Sequence, residues 1–279
     1  MTGLGIIGIP TSRTSISPTG AHATPTAVRD ALMRFSTHAS GRDADVGNLG
    51  AVDFGDVDEP DGPEGEARVR EAVTAARDAC RLLVVLGGDN SATYSAMRGI
   101  AGEDLGDWGL ITVDAHHDVR DGESNGSPVR RLVEAGLSGS AVAQIGIADF
   151  ANSAAYADRA HEMGITVIHR TALRGYSMAD VADQALRVAG HGGRPVYVDL
   201  DVDVCDRAIA PACPASAPGG LSADELRELA FALASDYRVR AVDITEVDAT
   251  ADAPDGRTVR LAALLVLEAA AGLASRERR

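Results

Sequence analysis

The chain has 279 residues, a formal net charge of −15 and a pI of about 4.8. Its 45% hydrophobic and 24% charged residues exclude a disordered chain. The acid excess excludes a nucleic-acid binder, which needs a basic face, and no apolar run is expected to approach a membrane span.

The N-terminus has no basic start, so residues 4–9 read as a first strand and not as a signal peptide. Residues 11–24, rich in Gly, Ser and Pro, read as a loop. Thr24 then reads as the N-cap of a helix, with Pro25 at its first position. A second strand is expected over 52–57, an acidic loop over 58–65, and a helix over 66–80 with Val69, Val73 and Ala76 at helical spacing. Residues 81–86 form a buried strand that ends in Gly87-Gly88-Asp89-Asn90-Ser91, before a helix from 92 towards 100. The strand 110–113 runs into Asp114-Ala115-His116-His117-Asp118, followed by a loop over 120–128 and a helix over 129–135. Further strands are expected over 141–147, 166–169, 195–200 and 239–246. Helices are expected over 153–163 and 179–189, after the capping box Ser222-Ala223-Asp224-Glu225 to 234, and over 259–273. This alternation implies a single α/β domain over 1–279, a doubly wound and mostly parallel sheet in a three-layer α/β/α arrangement. Cys80, Cys205 and Cys213 form no CxxC pair and read as reduced thiols in a cytoplasmic protein.

The chemistry concentrates at two strand ends, where open α/β sheets place their active sites. Asp114, His116 and Asp118 alternate, so in extended chain they share one side and His117 takes the other. Asp199, Asp201 and Asp203 repeat the pattern at the end of the strand 195–200, with Asp206 beyond. Acids and an imidazole converging at buried strand ends are costly unless a cation neutralises them, and two such clusters suit a pair of divalent ions. His22, His38, His161, His169 and His191 lie outside both clusters and read as surface or core histidines.

These motifs resemble the signatures of the ureohydrolase (arginase/agmatinase/formimidoylglutamase) family. The resemblance rests on Asp114 to Asp118, on Asp201-Val202-Asp203 with Asp206, Pro211 and Gly219-Gly220, and on Glu246-Val247-Asp248. Gly87 to Ser91, Gly20 to Arg29 and residues 54–57 also match, so the likeness covers nearly the whole chain. It implies an arginase-like fold, two Mn2+ ions per subunit and a homo-oligomer, trimer or hexamer. Asp114 and Asp201 would bridge the metals, His116 and Asp203 would bind one ion, and Asp118 the other. Glu246 would accept hydrogen bonds from the amidine or guanidine nitrogens of a small substrate. Two cations acidify bound water, while Asp118 is placed to hold that water and relay its proton.

Two positions depart from the family pattern. Asn90 stands where the family carries a metal-binding His, so that site is weakened or its ligand replaced by water. Asn125 stands where arginases and agmatinases carry a His thought to shuttle protons. The runs 116–120 and 125–130 look more like the formimidoylglutamase branch. Arg120, Arg130 and Asn125 are then substrate-binding candidates, the arginines as clamps for substrate carboxylates. The implied reaction is hydrolysis of N-formimidoyl-L-glutamate to L-glutamate and formamide. The alternatives are a guanidine hydrolase of agmatinase or arginase type that releases urea, and a metal-poor, non-catalytic relative with a binding or regulatory role.

Overall fold

Inner strands of a parallel sheet are covered on both faces and therefore read as unbroken apolar runs. The computed structural model describes residues 2–276 and carries these runs in one sheet. In chain order the elements are β1 (Thr2–Ile9), α1 (Thr24–Leu32), β2 (His38–Ala39), β3 (Ala44–Asp45), β4 (Val52–Asp56) and α2 (Gly62–Ala79). Next come β5 (Cys80–Gly87), α3 (Ser91–Ala101), β6 (Gly109–Val113), α4 (Pro128–Glu134), β7 (Val142–Ile147) and α5 (Ala154–Glu162). The chain closes with β8 (Thr166–His169), α6 (Met178–Ala189), β9 (Val196–Asp201), α7 (Ala223–Ala234), β10 (Val239–Thr245) and α8 (Arg257–Ser275).

The eight-stranded sheet has the order β4-β1-β5-β10-β9-β6-β7-β8, and its ladders are parallel. Alternate residues of β5 feed opposite faces. Leu82, Val84 and Leu86 belong to the core shared with α1, α6, α7 and α8, while Leu83 and Val85 belong to the core shared with α2, α3, α4 and α5. Three layers follow, as the alternation of elements implies.

Several boundaries differ from the expected ones for identifiable reasons. Thr24 is the first helical residue of α1 and Ala23 its N-cap, because the Thr24 hydroxyl donates to the Val247 carbonyl instead of capping. The helix α2 begins before Glu66, with Pro63 in its first turn where a missing N–H costs nothing. The capping box of Ser222 and Glu225 is present at α7. The short antiparallel pair β2–β3 carries no periodic signal, having two residues per strand. The expectation about membrane-length runs also needs correction. The 19-residue α8 holds an 18-residue window with a mean hydropathy of 1.6, enough in length and composition to cross a membrane, yet 67% of that window is buried inside the protein. Its apolar residues pack with α1, α7 and the sheet.

The strand order places four tips side by side. β5, β10, β9 and β6 are consecutive neighbours, and their carboxyl ends carry Asn90, Glu246, Asp201 with Asp203, and Asp114 to Asp118 respectively.

Candidate active site

β6 ends at Val113, and the chain then leaves the extended conformation. Asp118 takes a left-handed φ of 55°, so the strict alternation expected for Asp114, His116 and Asp118 does not hold. The convergence holds for a different reason: the chain turns and brings all three inward. Asp114 accepts from the His116 N–H at 2.7 Å, which folds the turn. His117 faces the other way, its Nδ1 2.7 Å from Gln144 Oε1, and burial lowers its pKa, so it is a neutral ring that anchors the turn to β7.

Asp114, His116 and Asp203 offer ligand atoms within 4.8 Å of one another, as do Asp114, Asp118 and Asp201. Asp114 is common to both groups. His116 Nδ1 lies 3.0 Å from Asp203 Oδ2 and 3.4 Å from Asp114 Oδ1. The four carboxylates are buried, and Asp114 Oδ2 and Asp203 Oδ1 have no hydrogen-bond partner among the described residues. Burial and then the neighbouring acids push Asp114 and Asp201 well above the carboxylate range. Burial also raises Asp118, to about 7. Burial acts against charge on His116 too, but Asp203 and Asp114 outweigh it and raise the ring to about 12. In turn His116 outweighs burial at Asp203 and holds that carboxyl below its usual value. A pocket of buried acids, three of them pushed to higher pKa and two with an orphaned oxygen, fits a pair of divalent cations.

Asp199 does not join this group, contrary to the expected run of three acids. It sits one layer deeper, 3.4 Å from the Thr245 hydroxyl, and burial with Asp243 beside it raises its pKa. Asp243 accepts from the hydroxyls of Tyr197 and Thr93, each at 2.8 Å. This buried polar layer has a sequence signal that composition hides: Tyr197 and Asp199 alternate with Asp201, and Asp243 alternates with Thr245. Asn90 rests on it, its Oδ1 2.7 Å from the Thr93 hydroxyl and 3.2 Å from that of Thr245. Its Nδ2 faces Asp118 at 2.5 Å.

Above the acids lies a cleft of about 180 Å³, lined by His116, Asp118, Asp201, Asp203 and Glu246 on its floor. Glu246 has a left-handed φ of 65°, a strained conformation for a side chain with a Cβ. Its N–H donates to Gly88 at 2.9 Å, and Gly88 must be glycine because a Cβ there would lie 1.9 Å from the Thr11 carbonyl. Glu246 Oε1 accepts from the Asn90 N–H at 2.7 Å and from Asn125 Nδ2 at 2.8 Å. Burial, then Asp89 and Asp203, raise Glu246 to about 8. The loops 11–24 and 120–128 form the rim through Ser15, Ile16, Ser17, Thr19, Asn125 and Gly126. Arg120 reaches the cleft with its guanidinium 5.4 Å from the Tyr156 ring centre. Arg130, a candidate clamp, is placed elsewhere. Its guanidinium donates to the carbonyls of Arg120 and Gly122 and to Glu134, so it holds the loop and does not line the cleft. Cys80, Cys205 and Cys213 are free and buried.

The family model described as "Arginase family" matches residues 2–272. The chain belongs to the arginase family. A formimidoylglutamase of Halalkalibacterium halodurans is 37% identical over 274 residues, 95% of this chain and 85% of the relative. The formimidoylglutamase of Bacillus subtilis is 34% identical over 288 residues, 97% of this chain and 87% of the relative. The crystal structure of that enzyme from Bacillus subtilis subsp. subtilis str. 168 superposes with a TM-score of 0.91, covering 98% of this chain and 87% of the other. The arginase-like architecture is thus common to sequence and coordinates.

Proposed function

We propose that this arginase-family chain is a manganese-dependent hydrolase that cleaves N-formimidoyl-L-glutamate with water to L-glutamate and formamide. One observation carries the reading: a single small cleft is lined by the acid cluster, the buried Glu246 and Arg120 together. An amidinium needs an anion beside its nitrogens, and a glutamate moiety needs a cation beside its carboxylates. The formimidoylglutamase relatives over nearly the full chain support the same substrate.

In this reading Asp114, His116, Asp118, Asp201 and Asp203 would hold two Mn2+ ions, with Asp114 common to both candidate ligand groups. When bound, the ions supply a water acidified enough to attack at neutral pH. Glu246 accepts from the amidinium N–H groups and turns the planar carbon towards the acid floor. Asp118 takes the proton that the attacking water gives up and returns it to the leaving nitrogen as the C–N bond breaks. The water oxygen ends on formamide and both water protons end on the leaving nitrogen, which departs as the ammonium of glutamate, so the atoms balance. Asn90 is a weak ligand. With its amide turned over, Oδ1 would meet the cluster and both amide hydrogens would reach the Thr93 and Thr245 hydroxyls. The chain acts in the cytoplasm as a trimer or hexamer, which light scattering would measure.

The test is a substrate panel with Mn2+ added, scored for formamide, urea and ammonia. Formamide from formimidoylglutamate is the expected product. Urea from a guanidine, with no formamide, would move the assignment to the agmatinase and arginase type. No turnover and no bound metal would leave a non-catalytic relative.

A further inference from the structure

Asn125 stands at the junction of three segments that are far apart in sequence. Its Nδ2 donates to Glu246 Oε1 at 2.8 Å, and its Oδ1 accepts from the Ile16 N–H at 3.0 Å. Its own N–H donates to the Thr14 carbonyl at 3.4 Å. The amide orientation is dictated by the partners, because a backbone N–H can only donate and a carboxylate can only accept. A carboxylate here could not donate to Glu246, and an alanine would serve neither side.

The segment it grips is the rim of the cleft. The root of that loop is fixed elsewhere: Asp61 Oδ1 accepts from the N–H groups of Ser12 and Arg13 at 3.1 and 3.0 Å, and the Ser15 hydroxyl donates to Asp89. Ile16, which lines the cleft, is 57% exposed and is tied down through its N–H to Asn125. Glu246 makes no hydrogen bond of its own to this loop; its bonds run to Gly88, Asn90 and Asn125.

The geometry points to Asn125 as a positioning residue that straps the 12–19 loop to Glu246, so that closing the rim and aiming the amidine-binding carboxylate are one event. This inference rests on the proposed role of Glu246. It departs from the expectation that Asn125 binds substrate directly, and it gives a neutral amide a task that a proton shuttle does not perform.

The experiment uses the full-length, Mn2+-loaded protein and follows two readouts. The first is tryptic cleavage after the exposed Arg13, resolved by mass spectrometry. The second is kcat and KM for formamide release from formimidoylglutamate, with metal content checked in each variant. Asn125→Ala should speed Arg13 cleavage and lower kcat/KM, each by about 10-fold, the loss expected for one charge-assisted hydrogen bond. Glu246→Ala should also speed the cleavage, although Glu246 is not bonded to the loop. Asn125→Asp keeps the acceptor for Ile16 but loses the bond to Glu246, so it should be cleaved as fast as Glu246→Ala and lose turnover as Asn125→Ala does. Wild-type cleavage in Glu246→Ala, wild-type kcat/KM in Asn125→Ala, or full turnover in Asn125→Asp would each overturn the strap. Absence of formamide release by the unaltered protein would instead overturn the proposed reaction, and the cleavage comparison would still decide the strap.

Discussion

Stripping the metal should make the stability of this protein fall as pH rises. Asp118 moves from an ordinary 3.8 to about 7 in the folded chain, chiefly through burial. Glu246 moves from 4.5 to about 8 for the same reason. A carboxyl with a raised folded pKa releases its proton more readily once unfolded, so each rise in pH from about 4 to about 8 favours the unfolded state. His116, raised to about 12, works in the same direction, since its stabilisation is complete below 6.5 and is lost above. Asp203 is lowered, and its stabilisation is lost only as pH drops below the ordinary carboxylate range. At about 1.36 kcal/mol per unit, Asp118 alone destabilises the metal-free fold by about 4 kcal/mol at alkaline pH. That is a large share of the roughly 5–15 kcal/mol typical of a domain and corresponds to about 10 °C in melting temperature. Bound cations remove the penalty, so the gap between Mn2+-loaded and chelator-treated protein should widen steadily from pH 5 to pH 8. Thermal melts at four pH values measure it. A gap that is constant, or that narrows with pH, would refute the argument that these buried acids await a cation.

Three substitutions extend the reasoning. Asp201→Asn removes a bridging charge and should cut turnover by more than about 100-fold, whereas near-normal turnover would remove the metal-water mechanism. Asn90→His replaces an amide oxygen with an imidazole and should leave more metal bound after dialysis; identical metal content would mean position 90 stands apart from the ions. Arg120→Ala should raise KM for an acidic amidine by about 10- to 100-fold and leave a neutral amidine nearly unaffected, as expected for losing a charge-assisted bond. Equal effects on both substrates would exclude a carboxylate clamp.

The sheet was legible because buried parallel strands cannot hide: Leu82 to Leu86 and Leu110 to Val113 admit few other readings. The acids at the strand ends were legible for the same reason, since charge next to such runs demands a use. Their geometry was less so. Reading alternation onto Asp114, His116 and Asp118 assumes extended chain, and the left-handed turn at Asp118 breaks that assumption while keeping the residues together. Asp199 shows the reverse error, because a shared strand face does not imply shared depth. Asn125 was noticed as a missing histidine, but its partners Ile16 and Glu246 lie 109 and 121 residues away, beyond the reach of any local pattern. Arg130 was misjudged because a loop arginine next to a metal motif looks the same whether it meets a ligand or its own backbone carbonyls.

The strand order also says when the reactive centre can come into being. β5 and β6 follow each other in sequence, yet β10 and β9 lie between them in the sheet. A nascent chain must therefore hold a gap open at its middle until residues 196–245 arrive to fill it. Such late, distant pairing is slow to form. A chain halted after β8 lacks Asp201 and Asp203 altogether, so the complete set of candidate ligands exists only in molecules whose synthesis has passed β9.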